Sequence, residues 1–283
     1  MDRTELAKRM KGYEAVSSGL LTKRTPVILR FDGKAFHTFT RGFEKPYDKI
    51  FMKTMQETMM YLCQNIQGCV LGYTQSDEIS LVLVDYKRID TQPWLGYRTQ
   101  KMTSIGASMA TLAFNKIFKQ NVNEYWSTLM EFDMMDEEQD RLCDTYWKAV
   151  EKGAMFDCRA FNIPKEEVTN NIYWRQFDAM KNSVQMLGHC YFNEKELYKK
   201  NTDAIKSMLV EKFGVVWDEM PTEFKRGSCC VKTDITVCCA SENEDGSIET
   251  WATERPHWEI DKEIPVFKGD GREYVDMLVF VGE

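Results

Sequence analysis

Gly72-Tyr73-Thr74-Gln75-Ser76-Asp77-Glu78 sets two adjacent carboxylates at a polar break between two apolar runs, residues 69–73 and 79–84. The pattern reads as two antiparallel strands joined by a tight turn, and Ser-Asp-Glu is adequate turn chemistry by itself. Upstream, Val27-Ile28-Leu29-Arg30-Phe31 is β-branched and aromatic enough for a buried strand, and an aspartate, Asp32, stands at its end too. Alternation puts Ile28, Arg30 and Asp32 on one face, and Leu29 and Phe31 on the other. Gly33 permits a sharp turn. Separately, each acidic strand end is an ordinary turn. Together, two strand-end carboxylate sites with a glycine carbonyl beside one are hard oxygen ligands of the kind Mg²⁺ prefers. Two such ions clamp the attacking and leaving oxygens in phosphoryl or nucleotidyl transfer.

The rest of the chain builds around these strands. Residues 4–20 have helical spacing, with Leu6, Met10 and Tyr13 on one stripe. Asp48 is placed to cap a helix carrying Ile50, Met52, Met55, Met59 and Leu62 at helical intervals. Residues 99–119 predict a second helix, whose Ser104, Gly106, Ala107, Ser108 and Ala110 allow close packing. The first ~120 residues thus run strand–helix–strand–strand–helix, the order of a ferredoxin-like or polymerase-palm unit. The expected class is α+β: an antiparallel sheet covered on one side by helices, with a C-terminal α+β extension. The acidic stretch 131–144 reads as a linker or exposed helix start. It sets the expected division into a catalytic palm, 1–135, and an extension, 136–283, with a β-rich tail from about 228. In that extension a strand is expected at 156–163 and helices at 165–187 and 193–213. Strands follow at 228–233, 235–240, 248–252 and 259–266, with a turn at Glu244-Asp245-Gly246.

Composition narrows the function. No apolar run approaches the ~20 residues of a membrane-spanning helix, and the charged start Met1-Asp2-Arg3-Thr4-Glu5 leads into no signal core, so a cytoplasmic protein without membrane partners is expected. Nine cysteines without framework spacing fit reduced thiols. Cys229-Cys230 and Cys238-Cys239 are not C-x-x-C pairs and read as buried strand thiols rather than zinc ligands. A net charge of −7 counts against RNA binding by bulk electrostatics, though Lys199-Lys200 and Lys225-Arg226 form local basic pairs. No G-x-x-x-x-G-K-[ST] loop is present. His37 and His189 lack a nucleophilic partner and read as structural or phosphate-contacting. Arg30, Lys34, Arg41 and Lys45 are cations available to a triphosphate, and Lys101 begins a helix whose amides add anion affinity.

Arg30-Phe31-Asp32-Gly33-Lys34-Ala35-Phe36-His37-Thr38-Phe39, Phe43-Glu44-Lys45-Pro46-Tyr47-Asp48 and Tyr73-Thr74-Gln75-Ser76-Asp77-Glu78, in this order and spacing, resemble the tRNA-His guanylyltransferase family. More narrowly, they resemble its bacterial-type guanylyltransferase-like members, which are 3′-5′ RNA polymerases. The resemblance continues through Lys101–Ser108, Phe156–Arg159, Trp174-Arg175-Gln176 with Asp178 and Asn182, and Glu223-Phe224-Lys225-Arg226-Gly227, to about residue 232. It implies a palm that activates a tRNA 5′-monophosphate with a nucleoside triphosphate, ATP or GTP, and then accepts attack by the 3′-hydroxyl of an incoming nucleotide. It further implies that Asp32, the Gly33 carbonyl and Asp77 hold two Mg²⁺ ions with Glu78 assisting. Lys45 and Ser76 would meet the activating nucleotide, with Arg30, Lys34, His37, Lys101 and Asn182 as further nucleotide or phosphate contacts. A homotetramer is implied as well, in which the basic pairs combine into an RNA path. The family's His-Ile-Asn-Asn motif is Met180-Lys181-Asn182-Ser183 here, which favours template-directed 5′-end addition or repair over non-templated guanylylation of tRNA-His. A palm-type nucleotidyl cyclase, or other RNA-independent transferase, and a non-catalytic tRNA-binding protein are the competing readings.

Overall fold

A computed structural model describes residues 4–242 and 248–282 of the chain. The expected turn at Glu244-Asp245-Gly246 lies outside the described residues. The elements are α1 (Glu5–Ala15), β1 (Val27–Gly33), α2 (Phe36–Phe39), α3 (Lys49–Asn65), β2 (Cys69–Gln75), β3 (Glu78–Leu83), α4 (Thr99–Glu131) and α5 (Glu137–Lys152). They continue with β4 (Phe156–Asn162), α6 (Lys165–Tyr191), α7 (Glu194–Leu197), α8 (Thr202–Phe213), α9 (Thr222–Arg226), β5 (Ser228–Glu242), β6 (Ile248–Asp261) and α10 (Glu273–Val279). The strands form one sheet in the order β4-β1-β3-β2-β5-β6, and every pairing is antiparallel.

The alternation of β1 sorts two cores. Leu29 and Phe31 join Met55, Met59 and Phe114 beneath α3 and α4. Ile28 joins Val82, Ile172, Val275 and Val279 beneath α6 and α10. The sheet is therefore covered on both faces, not one. The second cover comes from the segment after residue 264, whose apolar Ile264, Phe267, Val275 and Val279 are fully buried. A third cluster, around Leu187, Ile205, Leu209 and Trp217, holds α6 to α8. Gly106 of α4 lies against the Phe31 ring, so the small-residue stripe does permit the expected close packing.

Other boundaries differ from the sequence reading for identifiable reasons. α4 continues to Glu131 because Val122 and Leu129 extend its buried stripe. The acidic stretch becomes α5: Asp136 caps it by accepting from the amides of Glu138 and Gln139, and acidic residues in its first turn suit the helix dipole. The helix expected at 193–213 is two, broken where Lys199 takes a positive φ and Asn201 recaps the chain. The four short C-terminal strands are two long ones, since β6 is the edge of the sheet and β5 beyond Cys230 pairs with β6 alone among the described residues, so the arm tolerates Asp234 and Pro256. Cys229 and Cys230 are buried as expected, but Cys238 is exposed on that arm.

Gln176 ties the C-terminal cover to α6. It is fully buried, donates to the Pro265 carbonyl at 2.9 Å and accepts from the Phe267 amide at 2.9 Å. Gln176→Leu orphans both buried partners, at about 1–3 kcal/mol each. Urea unfolding of this variant should show a midpoint lowered accordingly; an unchanged midpoint would mean that the amide clamp is dispensable.

Candidate active site

The strand register assembles the acidic residues. Asp32 of β1 lies opposite Glu78 of β3 on one side and Asp157 of β4 on the other, so three carboxylates sit side by side on one face of the sheet. The Gly33 amide donates to the Asp77 carbonyl at 3.1 Å and binds the end of β1 to the β2–β3 turn. Ser76 in that turn has φ 53°. Beyond Gly33 the chain bends into α2, and a side chain at this glycine would overlap the Phe36 ring. Phe36 cannot yield, because it packs against Phe39, Phe51, Phe114 and Phe156. The turn is thus set on an aromatic core.

Asp77 and Glu78 have different electrostatic surroundings. Burial raises the proton affinity of Asp77, and the charges of Asp32 and Glu78 raise it further; hydrogen bonds from its own backbone and from Ser76 partly offset them. Among the described residues, no ion pair to a cation offsets them. Glu78 is compensated: Arg175 of α6 donates to its carboxylate at 2.7 Å and also meets Asp178 at 3.2 Å. The Glu78 carbonyl accepts from the Thr74 hydroxyl at 2.8 Å. The resemblance covers Arg175 and Asp157 but gave neither a role; both depend on pairing between distant segments. Arg175→Met would leave Glu78 partly buried and unpaired, at a cost of about 2 kcal/mol. Melting of this variant and of Arg175→Lys is the check, with lysine expected to recover only part of the loss because it lacks the planar fork.

Beside the turn lies a cavity of about 460 Å³ lined by Gly33, His37, Lys45, Ser76 and Asp77, with Phe43, Tyr47, Ser183 and Phe224 among its other walls. A second hollow, of about 640 Å³, adjoins it along α6; it is lined by Asn182, Gln185 and His189 and shares Lys45 and Met186 with the first. The structure therefore gathers Gly33, His37, Lys45, Ser76 and Asp77 at one cavity and brings Asn182 to its neighbour. Asp32 and Glu78 stand at the adjoining strand ends. Arg30, Lys34 and Lys101 line neither hollow. Arg226 is engaged inside the fold, donating to the Ile264 carbonyl at 2.9 Å, and Lys225 donates to the Asp218 carbonyl. Among the described residues, no group of three His, Cys, Asp or Glu side chains is close enough to hold a metal ion alone. A backbone carbonyl such as that of Gly33 would have to complete any site.

An antiparallel sheet between helices, with carboxylates at adjacent strand ends beside a cation-bearing cavity, is a palm-like arrangement. The tRNA(His) guanylyltransferase family profile matches residues 7–164, and the chain belongs to this family. A bacterial tRNA(His) guanylyltransferase-like protein solved with ATP is 32% identical, with a TM-score of 0.75 over 98% of this chain and 100% of that one. Such a protein solved with GTP is 33% identical, with a TM-score of 0.72 over the same shares. The tRNA(His) guanylyltransferase of Schizosaccharomyces pombe is 26% identical over 239 residues, 80% of each chain. No described helix is long and apolar enough to cross a membrane.

Proposed function

We propose that this protein extends the 5′ end of tRNA in the 3′-5′ direction, using ATP or GTP to activate the end and a templating base to select the nucleotide. The observation that carries this reading is the carboxylate group at the strand ends: Asp32 lies opposite Glu78 in the sheet, and Asp77, whose proton affinity is raised by burial and by the charges of both, lines one cavity with Lys45. Such an arrangement suits divalent ions. Asp32, Asp77 and the Gly33 carbonyl are all hard oxygen donors, and Mg²⁺ bound there would supply positive charge to phosphate oxygens.

The chain's own groups would do the rest. Lys45, shared by both hollows, would hold triphosphate oxygens, while Ser76, His37 and Asn182 supply hydrogen-bonding groups around them. Arg175 pairs with Glu78 at 2.7 Å and fixes its place in the carboxylate row. Met180-Lys181-Asn182-Ser183, in place of the family's His-Ile-Asn-Asn, favours repair of 5′-truncated tRNA over non-templated addition. A cytoplasmic homotetramer is the proposed state. Supporting it, the β5–β6 arm pairs with the rest of the sheet only through Ser228–Cys230 and leaves Ile235 and Trp251 exposed.

The test incubates the protein with Mg²⁺, ATP, each labelled nucleotide and full-length or 5′-truncated tRNA bearing a 5′-monophosphate or 5′-triphosphate. Products are mapped at nucleotide resolution while the opposing base is varied. Addition that follows the opposing base is expected. A cyclic or dinucleotide product formed without RNA would replace this reading with a cyclase.

A further inference from the structure

A second polar cleft lies at the other end of the sheet. β2 starts at Cys69 and reaches the catalytic turn after Gln75, so the two ends stand roughly 20 Å apart at about 3.4 Å per residue. Strand pairing explains why the cleft opens. β2 pairs with β5 only over Gly72↔Cys230, Tyr73↔Cys229 and Thr74↔Ser228, while β5 continues alongside β6 through Lys232↔Trp258. The β2–β5 ladder therefore lapses where Val70 would meet Lys232, and β2 is also irregular between Cys69 and Leu71 on its β3 side. A hollow of about 320 Å³ results, lined by buried Val70 and Val84, by exposed Lys87, Arg88 and Lys232, and by Thr91.

Its charge is unbalanced. Arg88 pairs with exposed Asp90 at 3.3 Å, but Lys87 and Lys232 have no ion pair among the described residues. The neighbouring carboxylate, Asp85, is buried and accepts from the Arg24 backbone amide at 2.9 and 3.0 Å. The Arg24 guanidinium reaches the Arg88 carbonyl at 3.2 Å, adding another cation nearby. Although the Lys87 side chain as a whole is exposed, partial desolvation of its ammonium and then the charge of Lys232 hold its proton affinity below that of an ordinary lysine. The Lys232 ammonium lies 5.1 Å from the centre of the Trp258 ring, a contact that favours its position. Thr91 accepts from the Arg88 amide at 3.2 Å, which leaves its hydroxyl proton to donate. Like charges gathered at a cleft without a counter-charge are stabilised by an anion.

We propose that this cleft is a phosphate-binding site separate from the nucleotide cavity, with Lys87 and Lys232 supplying charge and Arg88 and Thr91 hydrogen bonds to a single phosphoryl group. Two sources share that chemistry: a backbone phosphate of RNA, and free phosphate or pyrophosphate. Lys87→Gln combined with Lys232→Gln tests the site without touching the nucleotide cavity. Melting is measured in phosphate, in pyrophosphate and in chloride at matched ionic strength, and tRNA binding is titrated against salt. The wild type should melt higher in phosphate than in chloride, the double variant should lose most of that difference, and Lys87→Arg should keep it. If RNA is the source, the double variant also loses about one counterion per lysine from the salt slope of tRNA binding. If the free anion is the source, the slope keeps its wild-type value while the stabilisation is lost. Equal phosphate stabilisation of both proteins, or none of either, together with an unchanged salt slope, would overturn the proposal.

Discussion

Asp77→Asn is expected to abolish nucleotide addition and to raise the melting temperature of the metal-free protein. The loss follows from the proposed role of Asp77 as a Mg²⁺ ligand. Charge stabilisation by a bound metal is worth several kcal/mol in the transition state, and about 4 kcal/mol corresponds to a thousandfold in rate. The gain follows from burial and from the neighbouring charges of Asp32 and Glu78, which raise the proton affinity of Asp77 in the folded chain. The unfolded chain gives up this proton at lower pH than the folded one, so ionisation disfavours the fold. The full penalty is present above the raised folded value and disappears as pH falls below the ordinary carboxylate range. Asparagine removes it, so the stability difference between the two proteins should be largest at neutral pH and shrink on acidification. Added Mg²⁺ should raise the melting temperature of the wild type but not that of the variant, because a ligand that binds only the folded state stabilises it. Asp32→Asn should lose activity to a similar degree. Full activity in either variant would remove that residue from the metal site.

This opposition between stability and activity bears on what the sequence discloses. The β1 alternation and the polar break at residues 76–78 are local patterns with period two; the structure starts β1 at Val27 and β2 at Cys69 as read, and carries β1 two residues further, to Gly33, while β3 begins one residue earlier, at Glu78. The Asp48 cap is equally local and is present. Arg175 is different: it meets Glu78 across 97 positions of chain, a separation at which no periodicity carries information. The same holds for Asp157, whose place beside Asp32 depends on β4 joining β1. The C-terminal cover was misjudged for a related reason. Short apolar groups at 264–267 and 275–279 look unremarkable until the second face of the sheet needs them. The resemblance singles out Asp32, Asp77 and Glu78, and the strand register is what sets Asp32 beside Glu78 in the sheet.

Asp48→Ala should destabilise the protein by about 3–7 kcal/mol, although Asp48 lies outside the carboxylate row. The carboxylate is 5% exposed and fully committed. One oxygen accepts from the Phe51 amide at 2.8 Å and caps α3. The other accepts from the Tyr146 hydroxyl at 2.6 Å and from the Glu44 amide at 3.1 Å. Losing the cap costs about 1 kcal/mol. Leaving the fully buried Tyr146 hydroxyl and the Glu44 amide without an acceptor adds about 1–3 kcal/mol for each. Melting should fall on the order of 10 °C. Asp48→Asn should lose less, since its carbonyl oxygen still caps α3 while its amide cannot accept from tyrosine. Tyr146→Phe alone should cost little, and the Asp48→Ala, Tyr146→Phe double variant should show a coupling of about 1–3 kcal/mol, because the two groups share one hydrogen bond. The consequence reaches the proposed nucleotide cavity through Glu44, Lys45 and Tyr47, which line it on the segment that Asp48 anchors. Among the folded molecules that remain, KM for the activating nucleotide should therefore rise more than kcat falls, as Lys45 loses its fixed position. If Asp48→Ala melts within about one degree of the wild type, this carboxylate does not hold the segment, and the position of Lys45 must be set by the walls of the cavity instead.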